Sequence, residues 1–302
     1  MREEFLWVQK YRPHTIEDCI LPDNLKSTFK TLRDKGEIIN MLLSGSAGTG
    51  KTTVARALCE ELGADYIIIN GSETRGIDMV RDTVQSFAGT MSTNGKTKVI
   101  ILDEADYITP EAQAALRNLM ETFSKNCRFI MTCNFKHKII PPLHSRCSVI
   151  DFSFDKSVLP SLQVQMAKRT FEILDTEQVT YAKPAVLEVI KKHTPDNRRI
   201  LNELQRYANI NGSIDAGMIA AVDSGKVKAL VGFIKSGDFK ACRQWIAEQP
   251  DPDAWFGELY DDIIEYVEPN SIPALILIMG EYQHRAAFVA NQEINLAAFV
   301  VE

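Results

Sequence analysis

The sequence predicts an α/β fold with a doubly wound parallel sheet, followed by helical segments. Five short apolar runs are each bounded by turn residues, at 41–43, 66–69, 99–102, 129–132 and 149–152. Amphipathic stretches lie between them, at 52–62, 77–88 and 110–123. Short continuous apolar runs are typical of strands buried on both faces of a parallel sheet. Their alternation with helices indicates a doubly wound fold.

The same pattern divides the chain into three predicted domains. The α/β part ends near residue 153, which gives a first domain at 1–153. The next part is helical throughout, with helix starts at Ser157, Pro184 and Thr194–Pro195, and forms a second domain at 154–213. Turn residues around Gly212 precede a third, all-helical domain at 225–302, with apolar helices predicted around 272–279 and 286–301.

Composition excludes several classes of protein. The 302 residues are 45% hydrophobic and 25% charged, which is typical of a globular protein and not of a disordered one. Neither an apolar run long enough to span a membrane nor the apolar core of a secretory signal is found, so we expect no membrane association. The six cysteines form no C-x-x-C pair, which favours reduced thiols in the cytoplasm over a zinc ribbon.

The net charge of −6 is confined to one end of the chain. Residues 226–302 hold 6 Lys and Arg against 12 Asp and Glu, whereas the remaining residues balance at 28 against 28. The first 225 residues are therefore free to form a local basic surface, although the overall charge disfavours nucleic acid.

A phosphate-binding motif follows the first predicted strand. Gly45–Thr52 fits the pattern G-x-x-x-x-G-K-[ST] and leads into the helix that begins near Thr53. Glycines at 48 and 50 allow successive N–H groups to converge on phosphate oxygens at a helix N-terminus. Lys51 is predicted to reach the β- and γ-phosphates, and the Thr52 hydroxyl to bind Mg²⁺. A chance match is disfavoured because the strand and helix lie where the motif requires them.

Two acidic residues end the third predicted strand, beside the expected position of the phosphate loop. Asp103 is placed to hold Mg²⁺ through water, and Glu104 to act as general base for the attacking water. The alternative is a solvated acidic loop. Asn134 ends the next apolar run, where it either orients water or phosphate or initiates a turn.

Several longer stretches resemble one family. They are Trp7–Pro13, Asn70–Asp78, Asp103–Thr109, Ala112–Glu121, Cys133–Asn134, Leu143–Cys147 and Asp196–Gln205. Together they closely resemble the sliding-clamp-loader ATPases of the AAA+ class, which include replication factor C small subunits and the large subunit of T-even phage loaders. The resemblance implies an AAA+ P-loop NTPase fold, with 154–213 as a small helical lid and 225–302 as an oligomerisation collar.

The resemblance also implies the residues of the site. ATP is expected to contact Tyr11, Arg12, Gly48, Thr49, Gly50, Lys51, Thr52 and Thr53. The catalytic residues are expected to be Lys51, Glu104, Asn134, Arg198 and, acting in trans, Arg146. Here Arg146 corresponds to the arginine finger that reaches a neighbouring subunit's γ-phosphate, and Arg198 to a sensor in the lid. At 100° per residue, Arg199 points farther from the cleft than Arg198 and is expected to be solvated. Thr52 and Asp103 are expected to bind Mg²⁺.

The chain departs from the cellular members of the family in three places. Gly45-Ser-Ala-Gly replaces Gly-Pro-Pro-Gly, Pro195-Asp-Asn-Arg replaces Gly-Asp-Met-Arg, and Cys19-Ile-Leu-Pro replaces a Val-Gly pair. None of these changes removes a charged or metal-binding group. They favour a phage loader, working in the cytoplasm of its host, over a cellular one.

The partners are likewise implied by the resemblance. They are copies of this chain and a second loader subunit in a pentameric ring or spiral, the polymerase sliding clamp, and primer–template DNA. Arg75 and Arg81, at the start of the predicted helix 77–88, are candidates to contact backbone phosphates, or to pair with neighbouring aspartates. The family's clamp contact corresponds to residues 87–91, which could equally be core.

Two alternative functions stay open on the sequence. The first is a scaffold subunit that binds ATP without hydrolysing it, against which Lys51, Glu104 and Arg146 all argue. The second is another AAA+ DNA machine such as a branch-migration helicase. The Ser145-Arg-Cys motif disfavours this second alternative.

Overall fold

A computed structural model describes residues 5–73, 76–90, 92, 95–215, 217–218, 225–247, 256, 259–260, 266–286, 288–289 and 291–302. The chain forms two compact units, Met1–Ala216 and Gly217–Glu302. Within the ranges described, no helix combines the length and apolar character needed to cross a membrane.

The first unit contains a five-stranded sheet in which every neighbouring pair is parallel. Its strands are β1 (Met41–Ser44), β2 (Tyr66–Asn70), β3 (Lys98–Asp103), β4 (Cys127–Cys133) and β5 (Ser148–Asp151). The strand order is β2-β3-β4-β1-β5. All five predicted strands are therefore confirmed, and β1, β3 and β4 are central, so their carboxyl ends meet at one edge of the sheet.

Helices cover both faces of this sheet. They are α2 (Asp23–Lys35), α3 (Lys51–Leu62), α4 (Ile77–Ala88), α5 (Pro110–Thr122) and α6 (Pro141–His144), whereas α1 (Trp7–Lys10) packs against the later helix Asn197–Asn211. The three amphipathic stretches predicted from the sequence correspond to α3, α4 and α5 within one residue at each end. The predicted doubly wound architecture is confirmed.

Alternate residues of the three central strands, β1, β3 and β4, enter two separate cores. Leu42, Ile100 and Phe129 pack on one face together with α4 and α5. Leu43 and Ile101 pack on the other face, with α2 and α3. The two-residue period of a strand explains this division, and it explains why the strands are apolar without interruption.

The rest of the first unit is mainly helical. It consists of α7 (Leu159–Thr176), α8 (Lys183–His193) and α9 (Asn197–Asn211), with the two-residue strands β6 (Thr180–Tyr181) and β7 (Ser213–Ile214) paired in parallel. The expectation that this region is helical throughout is therefore wrong in detail. The predicted helix start at Thr194–Pro195 is also two residues early, because the Asp196 carboxylate caps α9 by accepting from the Arg199 N–H at 3.0 Å.

The second unit is helical in its described part. Its helices are α10 (Gly225–Ser236), α11 (Phe239–Ala247), α12 (Ile272–Ala286) and α13 (Gln292–Val301). They share a core that includes Leu230, Trp245 and Phe299. The last helix begins later than the predicted 286–301, because Asn291 caps it by accepting from the Ile294 N–H at 3.2 Å.

A matched pair of isoleucines tests the buried sheet. Ile101 and Ile68 are direct neighbours on adjacent strands, but Ile101 is 0% exposed and Ile68 is 39% exposed. We expect Ile101→Ala to lower the free energy of unfolding by about 2–5 kcal/mol, because it leaves a cavity. Ile68→Ala should cost less than about 1 kcal/mol. Chemical unfolding of the full chain, followed by circular dichroism, measures both; equal losses would contradict the assigned register.

Candidate nucleotide site

One pocket opens at the carboxyl edge of the sheet and has walls from four parts of the first unit. The loop before α3 forms one wall and the ends of β3 and β4 form the second. The third wall is formed by two N-terminal segments, at 8–13 and 19–21. The fourth wall is the start of α9, with Asn197, Arg198 and Leu201. Loop, strands and helix therefore converge on one cleft.

The loop before α3 requires glycine at its tightest point. Gly48 and Gly50 have φ angles of +73° and +91°, which other residues rarely adopt. A side chain on Gly48 would also collide with α9, since its Cβ would lie 1.8 Å from Asp196 Oδ1. The Asn197 N–H donates to the Gly48 carbonyl at 3.1 Å. The N-terminus of α9 is thus docked directly on the loop.

Lys51 is a buried cation that joins the loop to β4. Its Nζ donates to the carbonyl oxygens of Gly45 at 2.8 Å and Ser46 at 2.7 Å, and to Asn134 Oδ1 at 3.0 Å. Burial lowers the pKa of Lys51, and the nearby Arg198 lowers it further, against the opposing effect of Cys133 and acidic neighbours. The ammonium is therefore placed where an added negative charge would be favourable.

A hydroxyl and a carboxylate meet beside Lys51. Thr52 Oγ1 donates to Asp103 Oδ1 at 2.5 Å, and Thr132 Oγ1 donates to the same oxygen at 2.6 Å. The Thr132 hydroxyl also accepts from the Glu104 N–H at 3.1 Å. Glu104 itself has φ +55°, a left-handed conformation that costs energy for a residue with a side chain. Three hydrogen bonds thus position the acidic pair at the end of β3.

The sequence gives Asn134 two interpretations, and the structure contradicts the one in which its side chain caps the following turn. Its side chain accepts from Lys51 inside the pocket, whereas the following turn, Lys136–Lys138, has no side-chain cap. The backbone around it is fixed by Asp106, a 7% exposed residue whose Oδ2 accepts from the N–H groups of Asn134 at 3.3 Å and Phe135 at 3.2 Å.

Sequence analysis missed both Asp106 and Thr132. A single polar residue within or beside an apolar run is the only signal that either of them gives. That signal does not indicate which backbone or side-chain group the residue contacts.

The remaining predicted site residues fall in two places. Tyr11, Arg12, Thr49, Thr53 and Arg198 all line the pocket. Arg146 is not among the described pocket residues. Its Nε donates to Glu121 Oε1 at 2.9 Å and its Nη1 to the Pro142 carbonyl at 3.0 Å, with a third of the side chain exposed.

The candidate DNA and clamp residues lie on and around α4. Arg81 is exposed on this helix, and no described carboxylate is in ion-pair contact with it. Phe87 is half-buried against the core, with Lys98 Nζ 4.6 Å from its ring centroid. Arg75 and Met91 lie outside the described residues. Val80 and Val84 of α4 face the core.

Comparisons with known proteins agree with this geometry. Residues 41–154 match the family "ATPase family associated with various cellular activities", and residues 160–220 match "Sliding-clamp-loader large subunit, AAA+ ATPase lid domain". The chain is 39% identical to the sliding-clamp-loader large subunit of Enterobacteria phage T4, over 99% of this chain and 96% of that protein. It is 32% identical to the replication factor C small subunit of Haloarcula marismortui, over 99% and 94%.

A solved structure gives a likeness of fold alone. The Holliday junction branch migration motor RuvB of Thermotoga maritima superimposes with a TM-score of 0.56 at 17% identity, over 76% of this chain and 80% of that one. The chain is similar to clamp-loader subunits over nearly its whole length, and it has the phosphate loop and the acidic end of β3. Together these observations identify its family more narrowly than the likeness of fold does. The chain is an ATP hydrolase that belongs to the sliding-clamp-loader family of AAA ATPases.

Proposed function

We propose that this chain is the motor subunit of a sliding-clamp loader. ATP binding assembles a spiral that opens the clamp and grips primer–template DNA, and hydrolysis releases the closed clamp on DNA. The observation that carries this proposal is that the predicted catalytic cations lie in two separate places on the chain. Lys51 and Arg198 line the chain's own pocket, whereas Arg146 lies on another part of its surface.

The pocket suggests how the nucleotide is oriented. The N–H groups of the loop and the Lys51 ammonium suit the phosphates, which leaves the apolar wall for the base and ribose. That wall includes Val8, Tyr11 and Leu21. We therefore assign Tyr11 and Arg12 to the base side. Arg198, at the start of α9, is assigned to the γ-phosphate.

The residues at the end of β3 fit a magnesium ion. Mg²⁺ is usually held by one or two carboxylates, with water and substrate phosphates completing its shell. The Thr52 hydroxyl and the Asp103 carboxylate are in direct contact and would hold it. The described residues contain no group of three His, Cys, Asp or Glu able to hold a metal by themselves, which agrees with a site that the nucleotide completes. When bound, the ion neutralises charge on the β- and γ-phosphates.

Glu104 is assigned as the general base. It lines the pocket next to Asp103, and its backbone is fixed by Thr132. A carboxylate held at this position accepts a proton as water attacks the γ-phosphorus. Asn134, fixed by Asp106 and bonded to Lys51, would orient that water or the phosphate.

Arg146 is assigned to the site of a neighbouring copy. An arginine that stabilises transition-state charge can accelerate phosphoryl transfer by roughly 10³- to 10⁵-fold. Within its own chain Arg146 is paired with Glu121, outside the pocket. Each ATP would therefore lie between two copies, and its γ-phosphate would hold them together until hydrolysis.

The finer assignments complete the proposal. The ATPase domain is assigned to 1–153, the lid to 154–213 and the oligomerisation collar to 225–302. The partners are further copies, a second loader subunit in a pentamer, the clamp and primer–template DNA. Arg81, which is exposed on α4, is assigned to sequence-independent contact with phosphates. The similarity to a phage protein supports a role in the host cytoplasm.

Mixing two inactive variants tests whether Arg146 acts in trans. Arg146→Ala copies retain Glu104, and Glu104→Gln copies retain Arg146. We expect each variant alone to lose DNA-stimulated hydrolysis in the assembled complex. Their mixture should regain part of it, because some interfaces then combine both intact groups.

Arg33→Ala is the matched control, since Arg33 is equally exposed and also pairs with a carboxylate. It should leave hydrolysis unchanged. Mass spectrometry of the mixed complexes confirms that both variants are present. A mixture as inactive as its components would show that Arg146 and Glu104 must act in the same chain.

A second prediction concerns release of the clamp. Glu104→Gln should preserve ATP binding but slow hydrolysis by about 10²- to 10⁴-fold, because the amide cannot accept the proton. Complexes of loader, clamp and DNA should then persist. Their lifetime can be measured as the dissociation of the loader from primed DNA immobilised on a surface. The exposed residue Glu111 on α5 provides the control Glu111→Gln. Rapid clamp release by Glu104→Gln would refute hydrolysis as the releasing step.

A further inference from the structure

The N-terminal segment that lines the pocket is bonded to the lid by a buried glutamine. Gln205, on α9, is only 5% exposed. Its Oε1 accepts from the Trp7 N–H at 3.0 Å, and its Nε2 donates to the Phe5 carbonyl at 2.7 Å. Both hydrogen-bonding groups of the amide are therefore used to hold the backbone of this segment.

Helix α7 adds further contacts to the same wall. Glu177, just beyond its end, bonds Tyr11 Oη at 2.5 Å and Lys10 Nζ at 2.6 Å. Arg169 donates to the Tyr11 carbonyl at 3.3 Å. The base-side wall thus takes its position from Gln205 of α9, from Arg169 of α7 and from Glu177 just after α7.

Helix α9 carries residues that serve both ends of the pocket, and Gln205 is one of them. Arg198 precedes it by seven residues, two helical turns, so the two side chains share a face within about 20°. Arg198 lines the phosphate end of the pocket, and Gln205 holds the segment that carries Val8 and Tyr11. One helix therefore fixes a phosphate-side residue and the opposite wall together.

We propose that Gln205 is a positioning residue for nucleotide binding, which holds the N-terminal segment in the conformation that forms the base side of the pocket. This inference rests on the proposed nucleotide site. Glutamine suits the role because its amide both accepts and donates, which matches the N–H of Trp7 and the carbonyl of Phe5. Loss of the amide leaves both backbone groups without these buried partners.

The test is nucleotide affinity of the full chain carrying Gln205→Leu, which preserves size but removes both hydrogen bonds. Titration calorimetry should give dissociation constants for ATP and ADP that both rise about tenfold, the effect of losing two neutral hydrogen bonds. The rises should be equal because both nucleotides share the base. Turnover of the assembled complex at saturating ATP should stay within about twofold of wild type, since no group touching the phosphates changes.

Two further variants keep the test decisive. Tyr207→Phe removes a different hydrogen bond of α9, to Asp215 Oδ1 at 2.8 Å, and should leave both affinities unchanged. Glu177→Ala removes the bond to the Tyr11 hydroxyl at a more exposed position, while Arg169 still holds the Tyr11 carbonyl. It should weaken ATP and ADP equally, by about threefold. If Gln205→Leu does not fold, Glu177→Ala still tests whether contacts between the lid and the N-terminal segment set nucleotide affinity.

Unchanged affinities in Gln205→Leu, with wild type binding normally, would overturn this inference and leave the proposed function intact. Weakened ATP with unchanged ADP would also overturn it, because the effect would then come from the γ-phosphate side. Wild-type protein that binds neither nucleotide would refute the proposed site itself.

Discussion

The buried ammonium of Lys51 ties the phosphate loop to strand β4, and the other parts of the site are arranged around that contact. A cation removed from water is costly unless oxygen atoms surround it, and Lys51 has three such partners. One of them is Asn134, whose own backbone is held by the buried carboxylate of Asp106. The loop, β4 and the residue after it therefore form one connected unit. A phosphate bound in this pocket would meet a cation already in position, and it would replace one of the three oxygen atoms to which the ammonium donates.

Helix α9 extends that unit into the lid. Its N-terminus packs on Gly48 so closely that a methyl group would not fit, and its buried Gln205 holds the N-terminal segment. A single helix thus contacts the phosphate loop at one end and the opposite wall through its middle. Because packed helices move as rigid bodies, a displacement of α9 would change both walls together. The phosphate loop and the opposite wall of the pocket are therefore mechanically connected through one helix of the lid.

Much of this site was predictable from sequence, and what was not has identifiable causes. The strands and α4 follow from apolar periodicity, and Lys51, Thr52 and Asp103 follow from motifs with fixed spacing. By contrast, Thr132, Asp106 and Gln205 are single polar residues whose partners are distant in sequence. The start of α9 could not be read from the sequence because Thr194 and Asp196 are both good capping residues. In the structure Asp196 is the cap, and the next residue contacts Gly48. Strands β6 and β7 have two residues each, too few to show a period.

The central claim is that one copy supplies Arg146 to another copy's ATP. Hydrolysis per chain, measured over a dilution series alongside sedimentation of the same samples, tests it most directly. We expect the rate per chain to rise in proportion to the assembled fraction and to be negligible for the monomer. A rate per chain that stays constant as the complex dissociates into monomers would contradict the claim.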